Sequence, residues 1–148
     1  MGNRVNTEIQ RLLNERKLMR AQISSDMISK EMAAAEADLA DAQYSLQSSK
    51  FKWATIQGYY SMFHSARALL YSKGFREKSH FALLLALRAL FSKEIETSLI
   101  RQFEECMNLR QEADYGLTFS ENGALDAIDG AEKLLAKSKQ ILERSSNV

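Results

Sequence analysis

Residues 25–48 read SDMISKEMAAAEADLADAQYSLQS, and their apolar positions decide the class of fold. Ile28, Met32, Ala35, Leu39, Ala42 and Leu46 recur at spacings of 4, 3, 4, 3 and 4, which places them on one face of a long helix. A strand would need alternation of period two, and this stretch has none. The segment is therefore expected to form a bundle helix with a single apolar seam.

The neighbouring segments repeat the pattern. Residues 51–73 are expected to form the next helix, ending before Gly74, with Ile56, Tyr60 (Tyr59 beside it), Phe63, Ala66 and Leu70 inward. Its small residues Gly58, Ser61, Ser65 and Ala68 would admit a neighbouring backbone. Ser79 is a candidate N-cap for a short helix over 80–91, whose FALLLALRALF is apolar on nearly every side and is expected at the middle of the core. Two more helices follow. One spans 94–115 with Ile95, Leu99, Phe103 and Cys106 or Met107 inward. The other spans 121–143 with Leu125, Ile128, Ala131, Leu135, Ser138 and Leu142 inward and Ser120 as N-cap. Before the first segment discussed, residues 6–21 carry Ile9, Leu12 and Leu13 at helical spacing, with Asn6 or Thr7 as N-cap.

Composition agrees. The chain has 148 residues, 45% hydrophobic and 26% charged, the profile of one globular domain. It contains no proline, the residue least compatible with a helix interior. The expected organisation is an N-terminal helical extension over 1–24 and an all-α bundle over 25–148. One cysteine, Cys106, cannot build a disulfide framework or a cysteine-based zinc site alone. No secretory apolar segment or membrane span is visible, so a cytoplasmic protein without membrane association is expected.

The net charge of +1 hides an uneven distribution. Residues 1–50 balance seven basic against seven acidic side chains. Residues 51–93 hold seven against one (+6), and 94–148 hold six against eleven (−5). Either basic and acidic helices pair within the bundle, or the middle segment offers a basic pocket for phosphate.

Three groups of residues could carry chemistry. Tyr60, His64, Arg67 and Tyr71 make one line along the third helix, able to face a ligand or to brace a neighbouring helix. Arg76, Lys78 and His80 surround the start of a helix, where free backbone N–H groups attract anions. Arg110 continues the inward line Phe103, Met107, Arg110, Asp114; it is either a strut paired with Asp114 or, with Asp114 and Tyr115, the lining of a polar cleft for a phosphodiester. Glu77 and His80 make an E-x-x-H spacing, but a di-iron bundle needs two such motifs and further Glu ligands, so no metal or other cofactor is expected.

Tyr59-Tyr60-Ser61-Met62-Phe63-His64-Ser65-Ala66-Arg67-Ala68-Leu69-Leu70, followed by Lys73-Gly74, Lys78-Ser79-His80 and Arg110-Gln111-Glu112-Ala113-Asp114-Tyr115, resembles the HEPN family of small prokaryotic helical proteins over about 25–143. The resemblance implies an antiparallel four- to five-helix up-and-down bundle with an extra N-terminal helix here, a homodimer, and pairing with a minimal nucleotidyltransferase, often as a toxin–antitoxin system. Many members are metal-independent ribonucleases whose Arg is followed by a polar residue and, four to six positions after the Arg, by a His. Arg110 and Gln111 match the first two. Asp114-Tyr115 stands where the His would fall, and no His follows Arg110. A carboxylate such as Asp114 donates a proton only if its pKa is strongly raised. The expectation is thus a nucleotide- or RNA-binding module in which Tyr60, Arg67, Arg76, Lys78, His80 and Tyr115 line the cleft. Arg110, Asp114 and His64 stand as its candidate catalytic groups. The alternatives are a ribonuclease toxin using Arg110 with a displaced histidine, and a non-catalytic structural adaptor.

Overall fold

A computed structural model describes the backbone of residues 2–115 and 119–146 and the side chains of residues 7–112 and 119–145. The order of elements is α1 (Gly2–Asn14), β1 (Leu18–Arg20), α2 (Ser25–Gln47), α3 (Phe51–Ser72), β2 (Phe75–Glu77), α4 (His80–Phe91), α5 (Thr97–Tyr115) and α6 (Glu121–Ser146). The all-α class is correct, with one small two-stranded ribbon added.

The 4-3 seam of α2 packs on α3 as expected, and the two helices run antiparallel. Ser61 donates its hydroxyl to the Ala35 carbonyl at 2.7 Å, while His64, one turn further along α3, meets Glu31, one turn earlier on α2. α6 runs parallel to α3. The two approach closely because Gly58 faces the Ala127 backbone, where an added Cβ would lie 3.0 Å from its carbonyl carbon, and Gly130 faces the flexible Met62 side chain. α5 returns antiparallel to α6, with Gln102 beside Asp129 and Leu109 beside Gly123.

α3, not α4, takes the centre. It is covered by α2, α4, α5 and α6, and Tyr59, Met62, Leu69 and Leu70 are wholly buried. α4 lies to one side against α1, α3 and α5, so its outward positions Phe81 and Arg88 remain exposed despite the apolar sequence. Two seam assignments also shift by one residue. Tyr59 is wholly buried while Tyr60 is half-buried, and α6 begins its buried face at Ala124, leaving Leu125 exposed.

The expected helix over 6–21 is cut short. α1 begins at Gly2, which puts Asn6 and Thr7 inside it, and ends at Asn14; Arg16 then adopts φ 60°, which breaks the helix. Leu18, Met19 and Arg20 pair antiparallel with Glu77, Arg76 and Phe75. Leu18 is buried, while Met19 and Arg20 are exposed. Gly74, at φ 81°, makes the turn into β2, and its carbonyl accepts from the Ala21 N–H at 3.0 Å. Of the basic residues expected around the start of the helix, Arg76 therefore lies on a strand. Ile9, Leu12 and Leu18 join the same apolar cluster as α3 and α4, so α1 and β1 pack on the bundle through these residues.

The predicted caps of α4 and α6 are present. Ser79 Oγ accepts from the Ala82 N–H at 3.1 Å, and Ser120 Oγ accepts from the Gly123 N–H at 3.0 Å. Ser79→Ala is expected to cost about 1 kcal/mol, measured by urea denaturation. The loss matters because this cap sets the first turn of α4, which carries His80.

Candidate functional site

Tyr59 is the hub on which α3, α4 and α5 converge. Its hydroxyl lies 2.6 Å from Nδ1 of His80, the first residue of α4. Its ring stacks on Phe103 of α5 with centroids 5.9 Å apart. Two turns after Phe103, the Arg110 guanidinium lies 5.3 Å from the Tyr59 ring centre and 5.8 Å from that of Tyr60. Its positive charge also acts on the Tyr59 phenol. The His80 imidazole stacks on Phe63 with centroids 4.3 Å apart and meets the Tyr60 ring edge-on at 6.1 Å. Arg110, His80 and Tyr60 thus form one half-buried group at the end of α5 and the start of α4.

Burial is the main cause that lowers the His80 pKa below the ordinary histidine range; the positive charges of Arg110 and Arg67 add to it, and Glu77 opposes it. His80 is therefore neutral at neutral pH. Burial raises the Tyr59 phenol well above its usual value, against the pull of Arg110, so this hydroxyl keeps its proton.

A family model described as the HEPN domain matches residues 29–147. The chain belongs to the HEPN family. Two curated relatives come from Methanocaldococcus jannaschii, each bearing the name "putative toxin". MJ0605 is 33% identical over 103 residues, 66% of this chain and 76% of its own length. MJ0142 is 32% identical over 93 residues, 62% of this chain and 63% of its own length, so the chain spans less than two thirds of that relative.

Of the remaining predicted residues, His64 and Arg67 direct their polar atoms to carboxylates on α2 and β2 of this HEPN bundle. His64 Nδ1 is 2.6 Å from Glu31 Oε2, and its Nε2 is 3.6 Å from Asp38. Arg67 donates to Glu77 Oε2 from Nε at 2.9 Å and from a terminal nitrogen at 2.6 Å, reaches Glu31 at 3.5 Å, and covers the Phe63 ring at 4.4 Å. Part of the basic middle segment is thus paired internally. Arg76 and Lys78 are exposed on and after β2; Arg76 sits opposite Met19, and Lys78 is held through its backbone N–H to the Lys17 carbonyl. Asp114 and Tyr115 have side chains outside the described residues. Tyr71 is buried.

The E-x-x-H pair separates, with Glu77 on Arg67 and His80 on Tyr59. Among the described residues no group of three or more His, Cys, Asp or Glu could hold a metal ion. Burial pushes the Cys106 thiol up to about 12, leaving it an inert core group.

Sequence reading missed Tyr59 and Glu31 as site-shaping residues. Tyr59 could have been found from its i, i+4 relation to Phe63, which continues to Ala66 and Leu70 at the spacing of the buried stripe. Glu31 gave no signal, since its role depends on the register of α2 against α3.

Glu31 also ties the fold to pH. Burial opposes its ionisation, but hydrogen bonds and charge from His64 and Arg67 outweigh that and hold its pKa below 4.5. A carboxyl depressed on folding contributes stability above its unfolded pKa and loses it as pH falls through the folded value. Urea denaturation from neutral pH down to about 3 is expected to show an acid limb that flattens in Glu31→Gln. Asp38, whose pKa burial raises, works in the opposite direction and is untouched by that substitution.

Proposed function

We propose that this HEPN protein has a toxin-like role and binds the phosphate of an RNA or nucleotide between Arg110 and His80. Tyr60 flanks the site. The observation that carries the reading is the shared contact of Arg110 and His80 with Tyr59, which brings a fixed cation and an imidazole to one place, with no carboxylate bonded to His80 among the described residues. The guanidinium supplies a planar fork of donors suited to phosphate. The imidazole adds a further polar contact, and Tyr60 offers an aromatic face to a base.

The names of the two relatives support the toxin-like part. The protein acts as a homodimer in the cytoplasm with a minimal nucleotidyltransferase as its partner. No helix among the described residues is long and apolar enough to cross a membrane.

The second reading, a metal-independent ribonuclease, is favoured by one observation: of the two histidines, His80 is the one near Arg110, a displaced stand-in for the histidine absent after it. Cleavage of RNA needs a group to take the 2′-hydroxyl proton and one to give a proton to the departing 5′-oxygen. His80 stays neutral and hydrogen-bonded through Nδ1, which suits binding better than proton transfer.

Fluorescence anisotropy with a labelled short single-stranded RNA, followed by gel analysis of the same samples, separates the readings. Saturable binding with little cleavage is the expected result. Rapid cleavage lost in His80→Ala would favour the ribonuclease, and neither binding nor cleavage would leave an adaptor. Co-expression with a minimal nucleotidyltransferase encoded beside this chain should yield a complex that survives gel filtration.

A further inference from the structure

The Tyr59 hydroxyl has one hydrogen, and its neighbours dictate where that hydrogen goes. Tyr59 is wholly buried, so the hydroxyl finds no water. Arg110 is a donor only and cannot accept the phenol hydrogen. The acceptor within reach among the described residues is His80 Nδ1, at 2.6 Å. Nδ1 must then carry a lone pair, and the hydrogen of the neutral imidazole sits on Nε2.

We infer that Tyr59 is a positioning residue that holds His80 as its Nε2–H tautomer, so that the imidazole and the Arg110 guanidinium both present hydrogen-bond donors to one phosphate group. The ligand half of this inference rests on the function proposed above; the tautomer half does not.

The arrangement resists protonation of His80. A proton on Nδ1 would face the phenol hydrogen and break the bond that fixes the ring. The charged groups around His80 are Arg67 on α3, Glu77 on β2 and Arg110 on α5, with the Tyr59 and Tyr60 phenols also facing it from α3. Two cations outnumber one carboxylate, and that carboxylate is already engaged by Arg67. The imidazole therefore keeps one role, as a neutral donor at Nε2. A neutral Nε2–H has no lone pair with which to take a proton from a ribose hydroxyl, and it is too weak an acid to protonate a leaving oxygen. The site is built to hold a phosphate acceptor and not to act on it.

Nitrogen-15 NMR of histidine-labelled protein tests this, with His80 assigned by its loss in His80→Gln. The expected result is a His80 with Nδ1 bare and Nε2 protonated at neutral pH. Tyr59→Phe keeps the ring against Phe103 and Phe63, removes the phenol hydrogen, and should raise the His80 pKa by about one unit, a tenfold gain in proton affinity. A proton on Nδ1 in the unmodified protein overturns the tautomer assignment; so does a Tyr59→Phe protein whose His80 titrates as before. Inorganic phosphate is then added. Saturable movement of the His80 Nε2–H signal, about tenfold weaker in Tyr59→Phe, supports the donor pair. A correct tautomer with no response to phosphate or to adenosine monophosphate overturns the ligand half and the proposed function together, leaving the tautomer assignment standing.

Discussion

Arg110→Ala is expected to weaken binding of a short single-stranded RNA by about 10- to 100-fold, the loss typical of a charge-assisted hydrogen-bonding group removed from an anion site. The guanidinium is the full positive charge in the group, because His80 stays neutral. Arg110→Lys keeps that charge but loses the planar fork and its stacking over Tyr59 and Tyr60, so it should recover only part of the affinity. Circular dichroism should show unchanged helix content in both. The lost cation–π contacts cost stability on the order of 1 kcal/mol, which a domain of this size tolerates. His64→Ala is the useful comparison. His64 bonds to Glu31 on α2, away from Tyr59, so its loss should lower stability and leave RNA affinity close to that of the unmodified protein.

Gly58→Leu is expected to be the most damaging single change to the fold. A Cβ at residue 58 would lie 3.0 Å from the backbone carbon of Ala127 and 3.0 Å from its Cβ. Neither atom can move without shifting α6 away from α3, and a leucine adds three more carbons to the same gap. The cost should be about 3 kcal/mol, or roughly 5–10 °C in melting temperature. At Gly130 the first contact of an added Cβ is shorter, 2.8 Å, yet the outcome should be milder. That contact is to Met62 Sδ, the far part of a flexible side chain. Gly130→Ala should fall close to neutral, because helix propensity gains about 1 kcal/mol against the cost of moving the methionine. Thermal melts of the two variants side by side would check the contrast. A Gly130→Ala protein less stable than Gly58→Leu would mean that α3 and α6 do not meet in this register.

The helices were readable because each one carries its own periodic evidence. The seam of α2, the serines that cap α4 and α6, and Gly74 at the end of α3 all signal within a few residues of where they act. The ribbon was not readable in the same way. β1 is only three residues long, too short to show alternation, and its pairing with residues 75–77 is a contact across two intervening helices. The centre of the bundle was misplaced for a related reason. α4 looks more apolar than α3, but α3 presents small residues such as Gly58, Ser61 and Ser65 that let partners surround it, and closeness of approach outweighs side-chain hydrophobicity.

The site shows the same limit. Arg110 was identifiable as an inward cation on an apolar face, and the line Tyr60, His64, Arg67 was visible along α3. Which of those residues meets Arg110 depends on how α5 crosses α3. The crossing selects Tyr59 and Tyr60 for Arg110 and sends His64 and Arg67 to carboxylates on α2 and β2. His80 joins from a separate helix, placed by the Ser79 cap and the bond to Tyr59. No spacing within a single segment could have revealed that partnership.

The most direct test of the central claim is a crystal structure of the protein with adenosine monophosphate bound. The account predicts the phosphate between the Arg110 guanidinium and His80 Nε2, within about 3 Å of both. A phosphate held elsewhere, for instance in the groove between α5 and α6 lined by Gln102, Lys133 and Lys137, would contradict it.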